Sequence, residues 1–523
     1  MDRRVIPPLL ALVVSACFIY RNIVVESVER PVAPGDSVVV RTPVKIHLID
    51  GSTIVFRRGM RVQGNVASGD GVRYDLLLRD STAVSRLTLD SVIGMESFRT
   101  EVDGGKTFLV STLATVGTLA AAVGIACAID PKCFGSCPTY YSDSSGTLVL
   151  EAEGFSYSVA QLFEARDVDR LRLRAPVDGV VRLEVRNEAF ETHYVNHLEL
   201  LEVRHSTAET VLPDELNRPI AVREGVPLAT ARDRLGRDVR AVLAAGDGQA
   251  YRSDPRLVER ARVRDLEDAI EFTVPVPPNT STSDSVVVVL RLRNSLLNTI
   301  LFYDIMLGDP GARSLDWVGY DLQQVGPAVE LAQWYQKKMG MQIAVRGGTA
   351  GYREIAHLKD TGPVAWKDVA IVVPVLERDS VRVRLTFPAD NWRIDRVTVA
   401  ANFRRPVPDV HPLAEVIDAA GKTDTTARAS MGAADGRYLE TTAGQRFTAA
   451  FDVGSAPAAG ERTFLLASQG YYTEWVRRGW LTAPRAKRTF TPSDTVLAEA
   501  IARWRVTQDT LEARFMATRV PVR

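Results

Sequence analysis

Along most of this chain, apolar and polar residues alternate in short runs broken by glycine, proline or aspartate. A period of two predicts β-strands, because successive side chains on a strand point to opposite faces. Lys45–Ile46–His47–Leu48–Ile49 is one such run, Asp50–Gly51 reads as its hairpin turn, and Ser52–Phe56 as its return. Arg58–Gly59 turns again. Gly69–Asp70–Gly71 separates Gln63–Val66 from Val72–Leu78, and Arg86–Leu89 and Val92–Met95 finish the set. Short strands at this density predict a small SH3-like barrel over 37–100.

Farther on the runs lengthen. Thr192–Arg204 carries Tyr194, Leu198 and Leu200 on one face and Val195, Leu201 and Val203 on the other. A strand apolar on both faces is buried on both, and Val286–Leu292 is another. Val369–Val375, Val381–Phe387 and Ile394–Ala400 read as strands too. Helical patterning is confined to Arg256–Ala269, Ala328–Met339 and Asp494–Met516, the last docking through Ile501, Trp504 and Leu511. The expected fold is mainly β: the barrel, an apolar small-residue helix, then β-sandwich-like domains with a few helices. The expected divisions are a β-sandwich-like domain over 131–310, a helical connector over 311–345, a second β domain over 346–420, and a C-terminal β plus helix region over 421–523.

Two apolar stretches interrupt this pattern. Met1–Asp2–Arg3–Arg4 is a basic start, Val5–Val14 is apolar, and Val14–Ser15–Ala16–Cys17 follows. Small residues before a cysteine resemble the bacterial lipobox, in which the thiol is acylated and becomes the first mature residue. Residues 1–17 are therefore expected to be a lipoprotein signal peptide, Cys17 the lipidated residue, and 18–36 a tether. The run is too short to span a bilayer, whereas two acyl chains anchor stably. Phe18 after the cysteine favours the outer membrane, with the periplasmic or surface face open. The second stretch, over 105–130, holds Thr107–Ile129 without a charge. Its length fits a membrane span and Gly117 and Gly124 suit close packing in lipid; the alternative is a helix buried between β domains.

Composition narrows the function classes. Lys+Arg and Asp+Glu each number 64 in 523 residues, so the net charge is zero and no chain-wide basic surface invites nucleic acid. A mean hydropathy of −0.03 excludes a polytopic membrane protein. Four cysteines exclude a disulfide-dense scaffold.

The strings KCFGSCPTY (132–140) and YYSDSSGTLVLEAEGF (140–155) resemble an uncharacterised family of bacterial envelope lipoproteins with an SCP-plus-aromatic motif. LEVRNEAFETHYVNHLELLEVRH (183–205), GPVAWKDVAI (362–371), NWRIDRVTVA (391–400) and GYYTEW (470–475) are similar to later parts of that family. The resemblance implies an envelope location and no particular activity. His193 and His197 stand where the family carries other polar residues, which counts against an essential role for them.

Candidate chemistry is sparse. Cys133 and Cys137 enclose Phe–Gly–Ser, a loop that permits a disulfide in an oxidising compartment, while Cys127 reads as a buried thiol. His193, His197 and His205 have the even spacing of one strand face, but four residues of strand span about 13 Å, too far for one ion to bridge. No HExxH, paired CxxC, G-x-S-x-G or phosphate-binding glycine loop appears, so neither a metal nor a cofactor is expected. Glu151, Glu153, Asp390 and Asp395 are carboxylates that need a cleft to act together. Trp366 and Trp392 are candidates to stack on a sugar ring, with Trp475 and Trp480 in similar surroundings. The expected function is a lipid-anchored envelope protein with a binding or structural role. The alternatives are a carbohydrate-binding or carbohydrate-active surface protein and an envelope assembly factor. Partners would be the membrane and an envelope protein or glycan.

Overall fold

The computed structural model describes residues 37–75, 81–98, 137–173, 176, 178–259, 266–276, 284–377, 380–455, 460–482 and 493–517. The lipobox cysteine Cys17, the tether, the apolar stretch 105–130 and Cys133 lie outside these residues. Among the described residues the fold is mainly β, with five sheets and few helices.

The N-terminal strands form a sheet of short, sharply turned strands, from Ser37–Val40 to Val92–Ser97. The expected turns at Gly51 and Gly59 are present, both at positive φ, and a Cβ on Gly59 would collide with the Val40 carbonyl. Gly69–Asp70–Gly71 is not a turn. It lies inside one bent strand, Val66–Tyr74, which crosses the Phe56 ring so closely that a Cβ on Gly71 would sit 2.7 Å from it. The glycines there provide clearance rather than reversal. The sheet is an open half-barrel whose last strand, Val476–Arg477, comes from the far end of the chain and pairs with Val92–Ser97.

Two β-sandwiches follow, and one is inserted into the other. The first pairs a sheet built on Glu191–His205 and Glu461–Glu474 with a second sheet containing Thr139–Ser144, Thr147–Glu153, Val180–Arg186, Glu415–Asp418 and Arg446–Asp452. Its core includes Tyr140, Phe155, Leu183, Leu198, Phe447, Phe451 and Phe464. The inserted sandwich packs a sheet built on Ser285–Asn294 and Trp392–Arg404 against one built on Glu267–Pro275, Met341–Arg346 and Ser380–Pro388. The consecutive divisions expected at 310, 345 and 420 therefore give way to nesting. Ser285–Asn294 is hydrogen-bonded to Trp392–Arg404, and Glu191–His205 to Glu461–Glu474, so each sandwich needs strands from both sides of those boundaries.

The two sandwiches meet sheet to sheet. Leu201, Val203, Leu465 and Ala467 pack on Val211 and Ala221, so Glu191–His205 is buried on both faces, as its pattern requires. A β-bulge between Val195 and His197 exchanges the expected faces of Tyr194 and Val195. Val195 joins Leu198 and Leu200 in the core, and Tyr194 stacks on Tyr471 at 4.5 Å. At the same junction Lys367 is paired with buried Asp167 and Asp169, the latter at 3.1 Å.

A helical layer fills the space between the half-barrel and the sandwiches. It comprises Leu297–Thr299, a π-helical turn over Ile300–Gly308, Arg313–Gly319, Val325–Lys338 and the C-terminal helix Asp494–Ala517. Ile300, Leu301, Leu307, Leu315 and Trp317 share one hydrophobic core with Val44, Ile46 and Phe56 of the half-barrel. The C-terminal helix docks through Ile501, Trp504 and Leu511 as expected, and Trp504 Nε1 donates to Asp390 at 2.6 Å.

Removing the cation from the sheet-to-sheet junction leaves two buried carboxyls facing each other. Lys367→Met should lower stability by about 3–5 kcal/mol. Urea unfolding checks this, and adding Asp167→Asn with Asp169→Asn should restore much of the loss.

Candidate functional site

A cavity of about 350 Å3 opens where the first sandwich, the inserted sandwich and the helical layer meet. Junctions between folding units are common ligand sites, because each unit contributes wall without giving up its own core. The first sandwich supplies Glu153 at the end of Thr147–Glu153, the loop from Ser156 to Ala165, and Tyr472. The strand Ser285–Asn294 ends at Asn294, and Asn298, Phe302 and Tyr303 follow on the helical layer. Leu331 and Tyr335 come from Val325–Lys338, and His357 to Pro363 from the end of Tyr352–Leu358.

The walls are mostly apolar, and the polar groups converge on Asp360. Asn294 Nδ2 donates to Asp360 Oδ1 at 3.0 Å and Asn298 Nδ2 to Asp360 Oδ2 at 2.8 Å. Asn294 is itself fixed, since its Oδ1 accepts the Thr361 N–H at 2.7 Å and the Gly362 N–H at 3.2 Å. Burial pushes the Asp360 carboxyl up to about 7, against hydrogen bonds from Tyr335, Asn294, Asn391 and Asn298 that favour its charged form. Glu153 is clamped from the inserted sandwich: its Oε2 accepts the N–H groups of Val364 at 2.8 Å and Ala365 at 3.0 Å. Gly362, at φ 85°, lies against this carboxyl where any Cβ would collide with it.

The remaining polar lining is arranged around these two acids. Tyr303 Oη donates to Tyr472 Oη at 3.1 Å, and Tyr472 Oη to the Ser156 carbonyl at 3.2 Å. Burial pushes the Cys137 thiol up and the His357 imidazole down, so both are neutral near pH 7. Lys359 is exposed, its ammonium 4.7 Å from the centre of the Tyr157 ring.

The sequence-derived candidates are scattered by comparison. Cys137 is buried in the cavity wall, while Cys133, its expected partner, is outside the described residues. Trp392 is fully buried in the core of the inserted sandwich, so its ring has no open face for a ligand. Trp366 is half-buried, packs against the Arg291 and Arg293 guanidinium groups and does not line the cavity. The bulge after Val195 separates His193, bonded to Glu191 at 2.7 Å, from His197, which faces Glu199. Among the described residues no cluster of three His, Cys, Asp or Glu is placed to hold a metal ion. Asp390 and Asp395 are spent on Arg393 and Arg291, and of the four carboxylates considered only Glu153 lines the cavity. Asp360, Asn294 and Asn298 were not foreseen. The only local sign was Asp360–Thr361–Gly362–Pro363, which reads as a turn.

Neither a protein-family model nor a curated protein matches the chain. Solved structures give faint likenesses. TmCBM61 in complex with β-1,4-galactotriose is 14% identical over 26% of this chain and 66% of its own, with a TM-score of 0.14. A GH31 α-xylosidase from Xanthomonas citri is 9% identical over 83% of this chain and 38% of its own, with a TM-score of 0.16. An exo-β-1,3-galactanase from Phanerochaete chrysosporium, with β-1,3-galactotriose, is 9% identical over 71% of this chain and 84% of its own, also at 0.16. At such scores these likenesses carry no argument for this chain.

The Asp360 carboxyl makes stability pH-dependent. Its folded value lies above its ordinary 3.8, so between pH 4 and 7 the folded protein keeps a proton that the unfolded chain releases. Stability then falls as pH rises, by up to about 1.4 kcal/mol per unit, and the slope ends above pH 7. Asp360→Asn loses one hydrogen bond but removes this slope. Urea midpoints of the two proteins should therefore converge or cross between pH 4 and 7, and parallel curves would contradict the assignment.

Proposed function

We propose that the protein is a lipid-anchored cell-envelope binding protein whose cavity takes a small saccharide or the end of a glycan chain. The ligand reading is carried by the division of the cavity into one fixed polar end and apolar, aromatic walls. A pyranose ring has the complementary division, with hydroxyls round its rim and C–H groups on its faces. Asp360, fixed by two amides, accepts hydroxyl hydrogen bonds, and Tyr157, Phe163 and Phe302 offer apolar ring surface. A volume of about 350 Å3 is that of a small-ligand site. The envelope reading is supported by Val14–Cys17 and by the lipoprotein resemblance of residues 132–155.

A second reading, carbohydrate-active enzyme, has one observation in its favour. Glu153 and Asp360 share the cavity, the first accepting two backbone N–H bonds and the second pushed toward its neutral form by burial. Carboxyls in contrasting environments are the raw material of acid–base catalysis.

Titration of the detergent-solubilised full chain with mono- and disaccharides separates these readings. Saturable stabilisation without product is expected, about 2.7 kcal/mol at a ligand concentration a hundred times Kd. Product formation that disappears in Asp360→Asn would replace binding by catalysis, and no response to any sugar would overturn both. Cys17→Ser should move the protein from the membrane fraction to the soluble fraction. If the variant stays with the membrane, the lipid-anchor reading fails.

A further inference from the structure

Buried carboxylates in this protein are mostly matched by a cation. Glu96 pairs with Lys45 at 3.3 Å, Glu202 with Arg462 at 2.6 Å, Asp390 with Arg393 at 2.7 Å and Asp395 with Arg291 at 2.7 Å. The matching follows from physics, since an unpaired buried charge is costly. Asp360 is only 7% exposed, yet its partners are the neutral groups of Asn294, Asn298 and Tyr335. Among the described residues it takes part in no ion pair. Asp268, with Tyr251 and Ser253, and Glu151, with Ser142 and the Arg172 N–H, also have neutral partners, but neither lines the cavity.

A second acceptor lies beside Asp360. Asn298 spends its Nδ2 on Asp360, and its Oδ1 is buried without a hydrogen-bond partner among the described residues. The polar end of the cavity thus presents a carboxyl and an amide carbonyl whose companion N–H groups are already engaged. Such an end calls for a guest that donates hydrogen bonds and brings positive charge.

We propose that the cavity binds a primary ammonium group, carried by an amino-bearing saccharide, between Asp360 and Asn298. This inference rests on the saccharide reading of the cavity and names the functional group that it selects. The ammonium supplies the counter-charge that Asp360 lacks and donates to Asn298 Oδ1. The rings of Tyr303, Tyr335 and Phe302 also line the cavity, and the face of an aromatic ring attracts a cation.

The other charged and titratable groups of the cavity are consistent with a cationic guest. Glu153, from the first sandwich, has its Oε2 engaged by the Val364 and Ala365 N–H groups. Glu164 is spent on Asn196, Gln469 and Tyr438. Lys359 lies over Tyr157 and is exposed, and His357 is held neutral by burial. The Cys137 thiol and the phenols of Tyr157, Tyr303, Tyr335 and Tyr472 are all pushed up and stay protonated. An arriving ammonium therefore draws Asp360 into its charged form, and the displaced carboxyl proton goes to solvent.

Calorimetry on the full chain at pH 6.5 tests this with three probes: glucosamine, glucose and N-acetylglucosamine. Each is titrated in two buffers of different ionisation enthalpy, which reports protons released. Glucosamine should bind about tenfold tighter than the other two and release roughly half a proton or more. Asp360→Asn should abolish both the preference and the proton release. Asn298→Ala, which leaves the carboxyl in place, should weaken glucosamine more than glucose and guards against a folding defect in the first variant. Equal affinity for all three with no proton released would overturn the ammonium site and leave the saccharide reading standing. Binding of none of them would overturn both.

Discussion

The pairing of Glu191–His205 with Glu461–Glu474 is the constraint on which the rest of the molecule depends. These two long strands lie on either side of the whole inserted sandwich, yet they are in register along almost their full length. One face of the pair builds the core of the first sandwich, and the other receives the inserted one. Closing so long a loop costs little more than closing a moderate one, because the entropic cost grows only with the logarithm of length. The gain is a central sheet buried on both sides, where each apolar side chain on either face leaves water.

The same two strands carry the half-barrel. Thr192 donates to Glu96 at 2.6 Å, and Trp475, directly after Glu461–Glu474, donates to Thr192 at 2.9 Å and stacks on His47 at 3.8 Å. Burial opposes ionisation of Glu96, but Lys45, His47 and Thr192 outweigh it and hold the carboxyl down at about 2. A fully buried carboxylate shared by two units joins them firmly only while all its partners are present. Tyr472, three residues before Trp475, reaches into the cavity from this strand. The position of the cavity is thus a consequence of how the units are joined.

Much of the local structure was legible in the residues. Period-two runs predicted the strands, and the two-faced pattern of Thr192–Arg204 predicted a sheet buried on both sides. Ile501, Trp504 and Leu511 predicted the docking face of the last helix. The nesting was not legible, because an alternating pattern shows that a strand exists but not which distant strand it pairs with. A one-residue bulge after Val195 exchanged two faces, and a Gly–Asp–Gly that looked like a turn proved to be clearance for Phe56. The candidate site was the least legible part. Glu153 was visible only as one carboxylate among many. Asn294 and Asn298 lie four residues apart, but Asp360 comes from a distant segment and meets them only in the folded chain. Trp392, the more conspicuous residue, is core.

The central claim is that the junction of three units is the ligand site. Hydrogen exchange measured by mass spectrometry, with and without saturating glucosamine, tests it most directly. The account predicts slowed exchange together in 153–165, 294–303 and 357–363, segments that are distant in sequence and meet at the cavity. Protection confined to another surface, such as the strand around Trp366, would contradict it.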